Sequence, residues 1–419
     1  MVMQHKSGLH PADATLCQSV PMAPRSAPAL TALAAGTFAL GMTEFVITGL
    51  LPEIATDLSV SIPTAGLLIS AYALSVVIGG PLVTAAVARR ARKPVLIALL
   101  GFFVAGNLMS AVAPSFAVMM TGRVVAALCH GAFIGIATIV AGGLVRPDRR
   151  SSAIAAMLSG ITLATVAGVP LGTLLGQQYG WRATFWAMAL LGVLAALSTA
   201  AFVPVTGSGA AAGGQWGAFR NVTVWLALGM TALAFGAVYA PFTYVAPLMT
   251  EVAGFGPGAL PWLLVLFGLG LVLGNVIGAR AADRRLMTTV VTASVAMLIV
   301  LVLFSWTAHS RLPAAVTLFA LGVVAYATAP GLTTRVITAA DGDAQNLIVS
   351  SAAVSAFNLG NAAGAYLGGR AIAAGWGYES TPLVGAGMEL GALALAAALL
   401  VVSRVNARAT GSARSAEVS

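Results

Sequence analysis

The chain has 419 residues, 59% of them hydrophobic and 8% charged, with a mean hydropathy of +0.95. Soluble domains carry about 45–50% apolar and about 25% charged residues, so there is too little charge here to cover a soluble surface. This excludes a soluble enzyme, a disordered chain and, despite a net charge of +9 and a pI near 10.3, a nucleic-acid binder, and leaves a polytopic helical membrane protein. The two cysteines, Cys17 and Cys129, lie in a polar tail and an apolar run and imply no disulfide framework.

A helical span needs about 20 apolar residues to cross a hydrocarbon core of about 30 Å. Twelve such runs follow in order: 30–51, 63–87, 94–113, 115–144, 152–176, 183–204, 222–248, 259–280, 286–307, 312–333, 346–369 and 381–403. Turn or charge clusters separate them, among them Pro52-Glu53, Arg89-Arg90, Pro114-Ser115, Asp148-Arg149-Arg150 and Gly180-Trp181-Arg182. The first run is followed by further spans, which argues against a cleaved signal peptide. With both termini cytoplasmic, 17 of the basic residues fall on the cytoplasmic side, 3 on the other (Arg182, Arg311 and Arg370) and one, Arg123, inside a span. That bias sets the orientation and turns the high pI into a topology signal.

The Gly/Ser/Ala-rich stretch 206–214 reads as a flexible linker between spans six and seven. The expected organisation is a cytoplasmic tail 1–29, a six-helix half 30–204, a linker 205–221, a second six-helix half 222–404 and a cytoplasmic tail 405–419. The halves show weak similarity at an offset of about 196 residues: Ala167-Gly168-Val169-Pro170-Leu171-Gly172 lines up with Ala363-Gly364-Ala365-Tyr366-Leu367-Gly368, and Arg89-Arg90 with Arg284-Arg285. Two six-span halves of like orientation are the parallel-repeat plan of rocking transporters.

Four stretches carry a family resemblance. These are Gly41-Met42-Thr43-Glu44-Phe45 through Glu53-Ile54 in span one, the basic turn with Arg89, Arg92 and Lys93 after span two, Arg123 with His130-Gly131 in span four, and Gly160, Gly168, Pro170, Gly172 and Gly176 in span five. Together they resemble the 12-span drug:proton antiporter family of the major facilitator superfamily, with the first span similar to chloramphenicol-, sugar/arabinose- and purine-efflux members. The resemblance covers about 30 to 404. It implies an all-α membrane fold of twelve helices in two pseudo-symmetric halves, and alternating access. The sequence departs from the family pattern at Ala88 and Ala91, where the first basic turn has Asp and Gly in the family, at Ala127-Leu128 in place of Gln-Gly, and at Val169 before Pro170. The turn after span eight keeps its acid, Asp283, beside Arg284. A charged latch is therefore expected in the second half.

Charges inside a bilayer are costly, about 2.5–3.5 kcal/mol each on insertion scales, and so mark function. Glu44, Arg123 and Glu389 fall inside spans, with His130 as a fourth titratable group. At 1.5 Å per residue Glu44, Arg123 and Asn107 come out about 18–21 Å from the cytoplasmic side, one shared layer. A carboxylate held ionised beside a guanidinium, and taking a proton when the arginine swings away, is a workable proton carrier; a static buried pair that fixes helix packing is the other reading. His130, placed about 8 Å from the cytoplasmic edge, either titrates or donates a hydrogen bond between helices. Glu389 is a second proton site, a helix-interface residue or a group near the outer surface.

The cavity candidates are Tyr72, Asn107, Tyr239, Tyr244, Asn358 and Asn361. Tyr239 and Tyr244 stand out because Pro241 and Pro247 interrupt their helix, and discontinuous helices mark transporter sites; Asn358 and Asn361 are i, i+3 and share a face. Gly168, Gly172 and Gly176 stack on one face that permits close approach, expected to serve sliding of span five against spans eight or eleven, and Pro170 should kink the helix. No metal cluster, phosphate loop or hydrolase motif appears in the sequence. The expectation is thus not an enzyme. It is a monomeric secondary transporter of a bacterial cell membrane, without cofactor, using protons to export small apolar or amphipathic molecules; sugar or nucleoside/purine export is the alternative, and a non-transporting sensor a remote one.

Overall fold

The computed structural model describes residues 26–146, 149–205, 219–339 and 347–417. The tail 1–25, most of the 205–221 linker and the last two residues lie outside them. Among the described residues the chain builds twelve long helices: α1 (Ser26–Asp57), α2 (Ile62–Val87), α3 (Arg92–Ala111), α4 (Phe116–Gly143), α5 (Arg150–Tyr179), α6 (Trp181–Phe202), α7 (Val222–Phe242), α8 (260–284), α9 (286–307), α10 (Arg311–Ala339), α11 (Leu347–Ala373) and α12 (Thr381–Glu417). The α8–α9 turn is a single residue, Arg285, at φ −148° and ψ 79°. In lipid every backbone N–H must find its partner internally, which is why apolar runs of this length become helices.

Local chemistry explains the ends. Ser61 caps α2, its side chain accepting from the Thr64 amide at 3.3 Å, with Pro63 in the first turn. Asn221 caps α7 through Thr223 at 3.0 Å. Prolines have graded effects. Pro52, expected to end the first span, lies inside α1, which runs on to Asp57 before the chain turns through Ser59 at φ 53°. Before Pro170, where a kink is expected, the helix opens into a π turn at Ala164–Gly168 and then resumes, a local irregularity that accommodates the missing N–H. Span seven does break: α7 ends at Phe242, and a short helix Val245–Pro247 and a π turn Leu248–Val252 follow.

Among the described residues two large apolar cores form, one mainly from α1–α6 and one mainly from α7–α10 and α12, and each takes in side chains of the other: Tyr244 and Ala365 enter the first, Phe45 and Val169 the second; a smaller cluster joins α7, α10 and α11. Within each half, glycines let backbones touch. Gly160 meets the Ala34 carbonyl and Thr37 of α1, while Gly168, Gly172 and Gly176 meet Phe38, Met42, Val46 and Leu50 of the same helix. The stripe gives the expected close approach by packing α5 onto α1, while α5 meets α8 through other residues, among them Val166. About 196 residues later Gly360 and Gly364 of α11 meet the backbone of α7 in the same way. The sequence repeat is therefore a repeat of helix contacts.

The halves meet along α2–α11 and α5–α8. The Ser70 hydroxyl donates to the Ala362 carbonyl at 3.1 Å, and Gln177 donates to the Pro257 carbonyl at 3.1 Å. Tyr244 sits between Gly66 and Gly369, its hydroxyl donating to the Ala365 carbonyl at 2.8 Å. Gly268 of α8 lies 2.9 Å, measured from an added Cβ, from the Val166 Cα. These contacts gather on the side of the bundle opposite the basic turns. On that same side Arg182 bridges Asp57 and the Ala113 carbonyl (2.8 Å) while Trp181 donates to Asp57 at 3.2 Å, tying the ends of α1, α3 and α6.

Two stability predictions follow from these contacts. The Arg182 hydrogen bond holds the Asp57 carboxyl below its ordinary range, helped by Trp181. A lowered folded-state pKa stabilises above the unfolded value and the gain disappears as pH falls through the folded one. Asp57→Asn is therefore expected to lower the melting temperature in detergent at pH 7 by a small amount, about 1 kcal/mol or less for so exposed a pair, with the difference from wild type vanishing in acid. Gly160→Ala would drive a methyl into the Ala34 carbonyl and is expected to cost about 1–3 kcal/mol, read as a lower melting temperature, whereas Gly135→Ala, with open space around it, should melt like wild type.

Candidate functional site

The middle of the bundle holds a polar cluster in an apolar surround. Glu44 on α1 is 8% exposed, Arg123 on α4 is 0% and His130 on α4 is 4%. Thr43, Tyr72, Asn107 and Asn361 are buried with them. α4 loses its regular helix at Cys129, directly before His130.

Arg123 Nη1 donates to the Thr43 carbonyl at 2.7 Å and to its hydroxyl at 3.3 Å. Its guanidinium carbon stands 4.1 Å from the centre of the Tyr72 ring, a cation–π contact, and Nε and Nη2 have no hydrogen-bond partner among the described residues. The Thr43 hydroxyl donates to Asn107 Oδ1 at 2.8 Å, and Asn107 Nδ2 donates to the Phe103 carbonyl at 2.8 Å. The Tyr72 hydroxyl and His130 Nδ1 are 2.9 Å apart. His130 Nε2 is 3.7 Å from Glu44 Oε2, while Glu44 Oε1 has no partner among the described residues.

The expected layer of Glu44, Arg123 and Asn107 is present, but the expected carboxylate–guanidinium contact is not. Arg123 acts on Glu44 only through space, because it is turned toward the Thr43 carbonyl and the Tyr72 ring. The side chain nearest Glu44 with opposite charge potential is His130, which belongs to this layer and not near the edge where counting residues put it.

Beside the cluster, between the halves, lies a narrow crevice of about 10 Å³, room for a single water in this conformation. Phe45, Phe235, Tyr239, Phe242, Phe267 and Tyr326 supply its aromatic wall, with Thr165 as a further polar group. Phe242 stacks on Phe267 with ring centres 4.3 Å apart, and Tyr239 packs on Phe45 at 6.0 Å. Asn361 lies between the two regions, within reach of both Glu44 and Tyr239, with neither amide atom in a direct hydrogen bond among the described residues.

Of the cavity candidates, Tyr239 lines this space and Asn361 borders it. Asn358 turns its Nδ2 to the Val354 carbonyl of its own helix at 3.1 Å. Three candidates are corrected: Asn107 is consumed in the α1–α3 contact, Tyr72 in the Arg123–His130 cluster, and Tyr244 in the α2–α11 contact. Polar aromatics and amides satisfy partners on neighbouring helices, and no local pattern says which. Sequence reasoning missed Thr43, Phe267 and Tyr326. Thr43 adjoins Glu44 and could have been found as a hydroxyl in a charged span; the aromatic residues have no signal that separates them from lipid-facing ones. Glu389 on α12 is 0% exposed and faces Ser294 of α9, inside the second half and apart from the Glu44 cluster.

The basic turns are less organised than expected. Arg89 is exposed, Arg92 and Lys93 are half-buried, and Asp283 and Arg284 are exposed on the last turn of α8. Among the described residues no ion pair joins Asp283 to a basic partner, so the expected latch is not formed in this conformation.

The sequence has extensive relatives. It is 39% identical over 359 residues to the inner membrane transport protein YdhP of Escherichia coli K12, covering 85% of this chain and 92% of that one. It is 37% identical over 338 residues to a chloramphenicol resistance protein of Streptomyces lividans, covering 79% and 86%. Among solved structures, a bacterial homologue of the human lysosomal transporter Spinster shares the fold with a TM-score of 0.68 at 19% identity, covering 90% of this chain and 95% of that one. The human organic anion transporter MFSD10 does so with a TM-score of 0.64 at 18% identity, covering 89% and 100%. With residues 33–355 matching the family model as well, this twelve-helix chain belongs to the Major Facilitator Superfamily and is a multi-pass membrane transporter.

Proposed function

We propose that the protein exports small apolar or amphipathic molecules in exchange for protons, with Glu44 as the proton-carrying residue. One observation carries the reading: a buried carboxylate with one oxygen unpartnered adjoins, through its neighbour Phe45, a narrow aromatic crevice between the halves, with a fixed arginine in the same layer. A charge that packing does not need is expensive to keep in a membrane. Arg123 does not titrate and is held by Thr43, so the group free to change charge is the carboxylate. The cavity wall offers rings and few hydroxyls, which suits apolar cargo better than sugars, whose many hydroxyls would go unpaired. The chloramphenicol resistance relative favours the same direction.

Alternating access is supported by where the halves touch. The Ser70–Ala362, Gln177–Pro257 and Tyr244 contacts close the side opposite the basic turns. With the basic side cytoplasmic, as the Lys/Arg asymmetry indicates, this arrangement is the one that would load cargo from the cytoplasm. The first half (30–204) and second half (222–404) would then rock about α2–α11 and α5–α8.

Cells expressing the protein are expected to accumulate less labelled chloramphenicol than cells without it, with arabinose and adenosine unaffected; movement of the sugar or nucleoside alone would replace this cargo assignment. In liposomes Glu44→Gln should abolish uphill, proton-driven transport while counterflow exchange of cargo persists. Unchanged proton coupling in that variant would remove Glu44 from the mechanism. Tyr239→Ala should raise the KM for cargo several-fold with proton coupling retained, checked by initial rates in the same vesicles.

A further inference from the structure

His130 occupies an unusual position. It is buried, directly after the break at Cys129, with one ring nitrogen facing a phenol and the other a carboxylate. The geometry points to Tyr72 as a positioning residue that sets the tautomer of His130, so that Nε2 carries the hydrogen and presents it to Glu44.

Tyr72 OH lies 2.9 Å from Nδ1, and no other acceptor for that hydroxyl is found among the described residues. If the phenol donates, Nδ1 is the acceptor and the neutral ring must hold its hydrogen on Nε2. Nε2 then faces Glu44 Oε2 at 3.7 Å, slightly beyond a hydrogen bond and within one small side-chain adjustment of it. The opposite tautomer would set an acceptor nitrogen against the carboxylate whenever Glu44 is ionised, the state in which the tautomer is to be read. Two contacts hold the phenol itself. Its ring lies 4.1 Å under the Arg123 guanidinium, and it meets the imidazole edge-on with ring centres 5.9 Å apart. α2, α4 and α1 are thereby linked in series: Arg123 is fixed by Thr43, Tyr72 by Arg123, His130 by Tyr72, and Glu44 is addressed by His130. The groups facing this pair from the packed helices are Glu44, Arg123 and Cys129.

The consequence for transport rests on Glu44 being the coupling residue, but the tautomer can be read without any transport. Solid-state NMR of the full chain in lipid bilayers, with nitrogen-15 in its 4 histidines, reports which ring nitrogen is protonated; the His130 signal is assigned by its absence in His130→Gln. The wild type is expected to show His130 as one tautomer, protonated at Nε2. Tyr72→Phe, which keeps the ring over Arg123 and removes only the hydroxyl, is expected to replace it with a mixture or with the Nδ1-protonated form. A wild-type His130 protonated at Nδ1, or an unchanged single tautomer in Tyr72→Phe, would overturn the assignment. Should Tyr72→Phe not fold, the wild-type spectrum alone decides. A failed Glu44→Gln transport test with the expected spectrum would remove the proton-coupling reading and leave this one standing.

Discussion

A wholly buried guanidinium organises the middle of this bundle. Arg123 cannot shed its charge, so its surroundings must compensate it, and they do so with a backbone carbonyl, a threonine hydroxyl and an aromatic face. None of these is a carboxylate. That leaves Glu44 in the same layer without a direct counter-ion among the arginines, and it leaves Tyr72 held in place to meet His130. Much of the polar geometry at the centre follows from where this one side chain is anchored.

The anchoring depends in turn on close helix packing. Lipid supplies no hydrophobic drive between helices, so contact and van der Waals fit must hold the bundle. Gly160, Gly168, Gly172 and Gly176 bring α5 against α1 on the face next to the one that carries Glu44 inward. The same device recurs in the second half, where Gly360 and Gly364 bring α11 against α7. The halves use glycine to fix helices inside themselves and use a smaller set of contacts, among them Ser70, Gln177 and Tyr244, to meet each other.

Much of the fold was legible in the sequence. The run 286–307 coincides with α9, and 115–144 with α4, because the bilayer demands a minimum apolar length and charge or turn residues end it. The errors were local and physical. Pro52 failed to end α1, since a proline deep in lipid-length helix costs a hydrogen bond but leaves no better alternative for the backbone. Pro170 is preceded by a π turn that accommodates it, and near Pro241 and Pro247 span seven is interrupted.

By itself, then, the sequence determined that this is a membrane protein of twelve helices in two related halves, and which few charges are buried, because composition, length and repeat are properties of the chain alone. Only the tertiary structure decided what those charges touch. Glu44 meets His130 and not Arg123, Tyr244 closes a helix contact and does not line a cavity, and the α5 glycines face α1. Each outcome depends on the rotation and tilt of whole helices against one another, set by packing across residues far apart in the chain, and no spacing rule within a single span contains it.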